Sequence, residues 1–325
     1  MKRRRVVAAI ALAVALLIAA AVAIGARGGE PSRRVSTSAP STTAARAPST
    51  TIRTTTSRRA PTSTAAPTTS PPTTALPTVA IAVAPTSPPP PPPTTPVAPA
   101  AAGGLGAVRG RTIAIDPGHN GGNYAHASEI ARPVFIGTQT RACDTTGTQT
   151  ADGYTEAAYN LDVALRLRAV LAAAGANVVM SRTTNDGWGP CIDERAAFGN
   201  RAHAAVAISI HADGGPPDGR GFHVNLPALV PGYTDDIYAA SHRLGLDVRD
   251  AYTATGMPTS TYFGSQGLVE RSDLGGLNLS DVPKVIVETG NMRSATDAAL
   301  LESADFRRRA AQALAAGIAR YLAGG

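Results

Sequence analysis

Two histidines and two glutamates stand at positions of this 325-residue chain where they could do chemistry. His119 lies just after the apolar run TIAID, His211 directly follows AVAISI, and Glu288 ends the run KVIVE. Glu156 heads a segment whose apolar residues recur at helical spacing. Two histidines with one glutamate, and an open fourth position for water, form a known catalytic zinc environment. A further carboxylate beside that water can act as a general base.

Each of these residues also has an ordinary structural explanation. A glutamate in the first turn of a helix complements the helix dipole, which would account for Glu156. Glu288 is harder to explain in this way, because an ionised carboxylate that ends an apolar strand needs a partner. The four residues are far apart in the sequence, and the chain has no compact H-E-x-x-H motif that would fix the assignment. From the residues alone, a zinc hydrolase is one hypothesis among others.

The surrounding pattern predicts the elements that would bring these residues together. From residue 108 onward, short apolar runs alternate with helical periodicities, which is typical of a single α/β domain with a mostly parallel central sheet flanked by helices. We predict strands at residues 112–116, 177–182, 205–210, 221–226 and 284–288, and helices at residues 156–174, 193–202, 235–253 and 296–322. A long loop is predicted between the first strand and residue 153. In open α/β sheets, ligands bind beyond the carboxyl ends of the strands, so His119, His211 and Glu288 are expected to converge there.

Residues 1–107 differ in composition from the rest of the chain. Residues 1–27 join the basic stretch MKRRR to an unbroken apolar run of 19 residues, which predicts an exported protein with either a cleaved signal peptide or an N-terminal membrane anchor. Residues 28–107 consist mostly of Pro, Thr, Ser and Ala. They are predicted to be a disordered linker, because they offer too few apolar side chains to offset the entropy of ordering. We expect residues 108–325 to be a monomeric domain in the cell envelope, secreted or membrane-anchored.

The net charge of +7 does not indicate a nucleic-acid-binding domain. Eleven of the 30 basic residues, but only one of the 23 acidic residues, precede Val108, so the predicted domain is mildly acidic. The basic N-terminal arm favours anionic membrane or wall polymers as neighbours, and we expect no nucleic-acid partner.

Two cysteines, Cys143 and Cys191, both fall in the predicted domain. In an exported protein an even pair is more often bridged than free. We therefore predict a disulfide that ties two loops together, with two unrelated thiols as the alternative.

Four segments of the chain resemble, in order, the zinc-dependent N-acetylmuramoyl-L-alanine amidases of the amidase-3 type. These segments are AIDPGHNGG, YTEAAYNLDVALRLRAVLAAAGANVVMSRTTND, AISIHAD and DLGGLNLSDVPKVIVETGNMRSATDAALL. The resemblance runs from about residue 108 to the C-terminus. It implies a peptidoglycan hydrolase that uses a zinc-activated water to cleave the amide between N-acetylmuramic acid and the L-alanine of the stem peptide. The implied substrate is peptidoglycan or released muropeptides.

The resemblance also implies roles for individual residues. His119, Glu156 and His211 match the family's Zn²⁺ ligands, and Glu288 matches its catalytic acid/base. Two further residues, Arg271 and Asn278, fall in ERSDLGGLNLS, where family members line the substrate groove, and both are nominated for substrate contact. A purely structural salt bridge is the alternative for Arg271.

Three other residues are expected to support the site rather than to act in it. Asn160 lies four residues after Glu156 and should face the same side of the helix, where it can hold that ligand. Arg182 and Arg195 match recurrent arginines of the family and are expected to be structural. His223 lies on a strand beside the crevice and receives no role.

Two rival hypotheses keep the metal site but change the function. One is a catalytically inactive wall-binding module, and the other is a zinc amidohydrolase that acts on a different envelope substrate. The complete set of three ligands and a base argues against the first, because a binding module has no need of a base beside a metal. The loop at residues 123–152 is longer than the family pattern and leaves the substrate preference open.

Overall fold

The computed structural model describes residues 104–324. The predicted signal peptide or anchor at residues 1–27, and the predicted linker up to residue 103, lie outside the described residues. Residues 105–108 form a short 3₁₀ turn in which Val108 is fully buried, so residues just before the predicted boundary at residue 108 also pack against the domain. None of the helices in residues 104–324 combines the length and the apolar composition needed to cross a bilayer.

Strands and helices alternate along most of the described chain. The strands are β1 (Thr112–Pro117), β2 (Pro133–Phe135), β3 (Thr140–Ala142), β4 (Asn177–Met180), β5 (Val206–Asp213), β6 (His223–Pro227), β7 (Leu268–Arg271) and β8 (Lys284–Asn291). The α-helices are α1 (Ala127–Ile130), α2 (Glu156–Ala173), α3 (Glu194–Arg201), α4 (Tyr238–Tyr252), α5 (Gly275–Asn278), α6 (Ala295–Leu301) and α7 (Ala304–Ala323).

Six strands form one central sheet in the order β4-β1-β5-β8-β6-β7. β4, β1, β5 and β8 run parallel to one another, β6 pairs antiparallel with β8, and β7 runs parallel to β6. The prediction of a mostly parallel sheet flanked by helices is therefore confirmed, with two reversed strands at one edge. The carboxyl ends of β1, β5 and β8 and the start of β6 consequently meet at the same edge of the sheet.

The apolar core explains why β1 and β5 have nearly continuous apolar sequences. Ile113 and Ile115 of β1 belong to the main core with the helices α2, α4 and α7, whereas Ala114 belongs to a smaller cluster on the opposite face. A strand that is covered on both faces needs apolar residues at successive positions rather than at alternate ones. Both faces of the central strands are therefore buried, and their carboxyl ends are held rigidly.

Three predictions about secondary structure are corrected. The predicted closing helix at residues 296–322 is two helices, because the Ser303 side chain accepts a hydrogen bond from the Phe306 amide and caps α7. The predicted long loop contains a 3₁₀ turn (Gly121–Ala125), α1 and the antiparallel hairpin of β2 and β3. The short elements β7 and α5 were not predicted, because four residues are too few to establish a periodicity.

Candidate active site

His119, Glu156 and His211 converge at the carboxyl edge of the sheet. One potential ligand atom from each residue lies within 4.8 Å of those of the other two. Glu156 Oε1 is 3.3 Å from His119 Nε2 and 2.9 Å from His211 Nδ1, and the two imidazole rings meet edge to face with centroids 4.9 Å apart. Two imidazoles and one carboxylate form a donor set that suits zinc, so the three residues predicted from distant parts of the chain fit a metal site.

The turn that carries His119 is held in an uncommon conformation. His119 has a φ of 56°, in the left-handed region that residues other than glycine rarely adopt. Arg195 Nη2 donates to His119 O at 2.9 Å, and Arg182 donates to Pro117 O at 3.1 Å and to Gly118 O at 3.0 Å. Such a conformation persists when its surroundings over-determine it, and these two buried arginines do so. Both therefore have the structural role that we predicted.

Gly118 gives the His211 ring the space that it occupies. A Cβ atom added at Gly118 would lie 2.2 Å from Cε1 and 2.3 Å from Nε2 of His211. Any larger residue here would displace a predicted ligand, so the glycine of the D-P-G-H segment is required by close packing.

Hydrogen bonds fix the orientation of each predicted ligand. His119 Nδ1 donates to Thr145 O at 3.0 Å and lies 3.2 Å from Asp144 Oδ1, so Nε2, which is directed at Glu156, is the nitrogen that is placed to bind a metal. Glu156 Oε2 accepts from the Thr148 amide at 3.0 Å. Asn160 is fully buried, and its Nδ2 lies 3.4 Å from Glu156 Oε1, which agrees with the supporting role predicted for it.

The charges at the site attract a cation. Burial alone would lower the pKa of His119, but the carboxylates of Glu156 and Asp144 outweigh burial and raise this pKa to about 10. Burial would raise the pKa of Glu156, yet the neighbouring His119 and His211 hold it well below its usual range. Without a metal, a proton on His119 therefore offsets the charge of the buried Glu156 carboxylate. A divalent cation can replace that proton, because metal ligands bind in their deprotonated forms.

A network of buried ion pairs lies next to His119. Arg195 contacts Asp116 Oδ1 at 2.7 Å and Asp144 Oδ2 at 2.9 Å, and all three side chains are buried. Burial would raise the pKa of Asp116, but Arg195 and Lys284 outweigh it and hold this pKa far below its usual value. Asp144 links the network to His119 Nδ1. Asp144 was not among the predicted site residues, although its place next to Cys143 was a signal that it is held in position.

The disulfide between Cys143 and Cys191 is present, as predicted. Both cysteines are fully buried and pack with Val134 and Ile136 of the hairpin region. Cys191 immediately precedes the segment that leads into α3 and Arg195, and Cys143 precedes Asp144. The covalent bond therefore joins the two chain segments that carry Asp144 and Arg195 of this network.

Glu288 lies next to His211 on the sheet. It lies opposite His211 in the register of β5 and β8 and is half-buried. Burial raises the pKa of Glu288 well above its usual range, and the carboxylates of Glu156 and Asp213 raise it further. A carboxyl group with a raised pKa can deliver a proton, and a nearby cation lowers that pKa again, so the group can also accept one. This is the behaviour expected of an acid/base residue.

A pocket of about 380 Å³ opens beside Glu288. It is lined by Asp213, Pro216, His223, Tyr262, Phe263, Arg271 and Glu288. Arg271 makes a two-point salt bridge with Asp273, with Nε at 2.7 Å from Oδ1 and Nη2 at 2.8 Å from Oδ2. Arg271 therefore makes the salt bridge that was the alternative and also lines the pocket, and its contact with substrate stays a prediction.

Asn278 does not line this pocket. It is fully buried, and its Nδ2 donates to Ile136 O at 3.0 Å and to Ser272 O at 2.7 Å. These bonds join the end of β2 to the segment after β7. These bonds give Asn278 a structural role, and its contact with substrate stays a prediction.

Comparison with known proteins points to one family over the region that carries the site. Residues 113–320 match the sequence profile of the N-acetylmuramoyl-L-alanine amidases designated Amidase_3. The chain is 43% identical over 217 residues to an N-acetylmuramoyl-L-alanine amidase of Mycobacterium tuberculosis, an alignment that covers 66% of this chain and 88% of that relative. It is 28% identical over 225 residues to the N-acetylmuramoyl-L-alanine amidase LytC of Bacillus subtilis, covering 66% of this chain and 36% of LytC.

Solved structures show the same likeness. The crystal structure of the N-acetylmuramyl-L-alanine amidase Ami1 from Mycobacterium smegmatis superposes with a TM-score of 0.63 at 42% identity, covering 67% of this chain and 99% of Ami1. The apo form of Ami1 from Mycobacterium abscessus superposes with a TM-score of 0.62 at 40% identity, covering 66% of this chain and all of that chain.

Proposed function

The chain belongs to the amidase-3 family of N-acetylmuramoyl-L-alanine amidases, which are peptidoglycan hydrolases, and on that premise we propose how its own residues perform the reaction. His119, Glu156 and His211 hold a Zn²⁺ ion, and Glu288 is the catalytic acid/base. The observation that carries this proposal is the convergence of two imidazoles and one carboxylate within 4.8 Å, with Glu288 paired to one of them across β5 and β8.

The chemistry divides between the metal and Glu288. Bound at this site, zinc supplies Lewis-acid polarisation of the scissile carbonyl and makes water more acidic. Glu288 takes a proton from the attacking water and delivers it to the nitrogen of L-alanine as the amide bond breaks. The products are a free lactyl carboxylate on the muramic acid and a stem peptide with a free N-terminal alanine. Asp144 and Thr145 hold the ring of His119 in place, and Glu156 holds that of His211.

The cellular setting is proposed from two independent features. Peptidoglycan lies outside the cytoplasmic membrane, and the basic and apolar residues 1–27 are those of a signal peptide or membrane anchor. The disulfide under the site also favours an oxidising, extracytoplasmic compartment. Because one chain supplies all four site residues, no second copy is needed to complete the site, and we propose that the enzyme acts as a monomer.

Digestion of purified peptidoglycan with mass analysis of the products tests this function. The samples are wild type, wild type treated with a chelator, Glu288→Gln, and Glu302→Gln as a matched change at an exposed glutamate outside the site. We expect intact stem peptides with free N-terminal alanine from wild type and Glu302→Gln. Removal of the acid/base should reduce the rate by a factor of about a hundred or more.

Two outcomes would reject the proposal. One is activity of Glu288→Gln close to that of wild type. The other is full activity after the metal has been removed and its absence verified by elemental analysis. Cleavage at another bond of the glycan or peptide would instead point to the rival zinc hydrolase that acts on a different envelope substrate.

A further inference from the structure

Three side chains form a row across neighbouring strands at the site. The register pairs His211 on β5 with Glu288 on β8, and Glu288 with His223 on β6. Residues in register on adjacent strands project from the same face of a sheet. Because strands are about 4.8 Å apart, His223 lies on this row about 10 Å from His211, with Glu288 between them. The row therefore leads from a predicted metal ligand through the acid/base to a histidine that the mechanism does not use.

His223 is buried without a complete set of partners. Its side chain is 1% exposed, and Nδ1 has no hydrogen-bond partner among the described residues. The ring meets Phe263 and Tyr262, with centroids 5.3 and 6.3 Å away. Leaving a buried polar nitrogen unpaired is unfavourable, and native structures seldom do so without a functional reason. His223 is also one of the residues that line the pocket beside Glu288, so a ligand bound in that pocket lies next to this imidazole.

The imidazole of His223 is neutral at physiological pH. Burial lowers the pKa of His223 to about 4, and Arg271 adds to that effect against the opposing charge of Asp213. A neutral imidazole has one donor and one acceptor nitrogen, which suits the N–H and C=O groups of a peptide bond better than a carboxylate. Arg271 supplies a positive charge at the same pocket, and its bonds to Asp273 use Nε and Nη2, so the guanidinium is held in a fixed orientation.

The direction of the substrate follows from the proposed function, on which this inference rests. Glu288 protonates the nitrogen of the departing L-alanine, so the stem peptide lies on the Glu288 side of the metal ligands, and the muramoyl group lies on the other. An extended peptide advances about 3.4 Å per residue, so a row of about 10 Å spans the scissile carbonyl, the alanine and the next residue.

We propose that His223 is a specificity-determining residue that hydrogen-bonds the peptide group of the second stem residue in the pocket beside Glu288. Phe263 and Pro216 give this residue an apolar wall, and Arg271 favours a second residue that carries a carboxylate. The enzyme thereby recognises a residue of the stem peptide beyond the bond that it cuts.

Two soluble substrates of different length test the proposal. The first is N-acetylmuramoyl-L-alanine and the second is N-acetylmuramoyl-L-alanyl-D-glutamate, and kcat and KM are measured for each. We expect wild type to prefer the longer substrate in kcat/KM by about tenfold or more, the size of effect that one well-placed hydrogen bond and a charge contact give. In His223→Ala this preference should fall to about threefold or less. His223→Gln, whose side-chain amide can still donate and accept a hydrogen bond, should keep more of the preference than His223→Ala.

Controls separate recognition from folding. His223→Phe fills the space of the ring without a hydrogen-bonding nitrogen and should behave like His223→Ala even if the smaller side chain destabilises the domain. His242→Gln makes the same chemical change at a histidine on α4 outside the pocket and should keep the wild-type preference.

The results that would overturn the proposal are distinct. A wild type without preference for the longer substrate, an undiminished preference in His223→Phe, or an equal loss on both substrates would each show that His223 does not read the second residue. A wild type that cleaves neither these substrates nor peptidoglycan would reject the proposed amidase function itself.

Discussion

Replacing Gly118 by alanine should damage the metal site while leaving the fold in place. The added Cβ would lie 2.2 Å from Cε1 of His211, and ordinary contact begins at 3.4 Å, so the ring has to move by about 1.2 Å. Metal sites tolerate changes of only about 0.2 Å in ligand distance. A misplacement of about 1 Å at a reacting centre can lower the rate by about a hundredfold.

We therefore expect Gly118→Ala to bind zinc between about tenfold and a hundredfold more weakly, as perturbed ligand support does elsewhere, and to lose about a hundredfold in kcat/KM. Zinc affinity is measured by competition with a chelator of known affinity, and activity by release of free N-terminal alanine. Gly106→Ala is the matched control, because a Cβ added there meets nothing within 4 Å. Thermal unfolding in excess chelator reports on the fold without the metal.

Wild-type zinc affinity in Gly118→Ala would refute this reasoning. It would mean that the His211 ring is not a ligand in its observed position, or that the site adapts without cost. A large loss of stability in excess chelator would also count against it, since the damage would then lie in the core rather than at the metal.

Three further predictions concern the support of the site. Asn160→Ala should weaken zinc binding by about tenfold in the same competition assay, because Glu156 loses a hydrogen bond that orients it; unchanged affinity would contradict this. Reduction of the Cys143–Cys191 bond, which closes a sequence separation of 48 residues, should lower the free energy of unfolding by about 3 to 4 kcal/mol in denaturant titrations, and an effect near zero would contradict it. The folded-state pKa of Asp116 lies below its unfolded value, so the stability that this group contributes is present above about pH 4 and is lost as the pH falls further. Urea unfolding of Asp116→Asn between pH 3 and 7 should show a shallower loss of stability toward acid than wild type, and an identical slope would contradict it.

The central fold was predictable because burial on both faces leaves a clear mark on the sequence. The apolar runs that became β1, β5 and β8 are continuous, and a helix of 18 residues lies between β1 and β4. The reversal of β6 and β7 was not predictable, because the pattern of apolar residues along a strand is the same in either direction. The break at Ser303 was missed because apolar spacing continues across it, and only the capping hydrogen bond separates α6 from α7.

The site was also predictable in part from the apolar runs. His119, His211 and Glu288 stand out because polar residues end apolar runs, and the topology brings strand ends together. Asp144 was missed, since its role depends on a loop path that the disulfide fixes. His223 begins a strand rather than ending one, and its approach to Glu288 depends on the antiparallel pairing of β6 with β8. The burial of Asn278 was not predictable, because the sequence does not tell which way a side chain in a four-residue helix points.

The zinc content of the purified protein tests the central claim most directly. Elemental analysis of wild type and of the double variant His119→Ala/His211→Ala, both verified as folded by circular dichroism, compares the site with and without two of its proposed ligands. We expect one zinc ion per wild-type chain and almost none in the double variant. A folded wild type that binds no zinc even when it is supplied, or a double variant that retains the ion, would contradict the assignment of His119 and His211 as metal ligands.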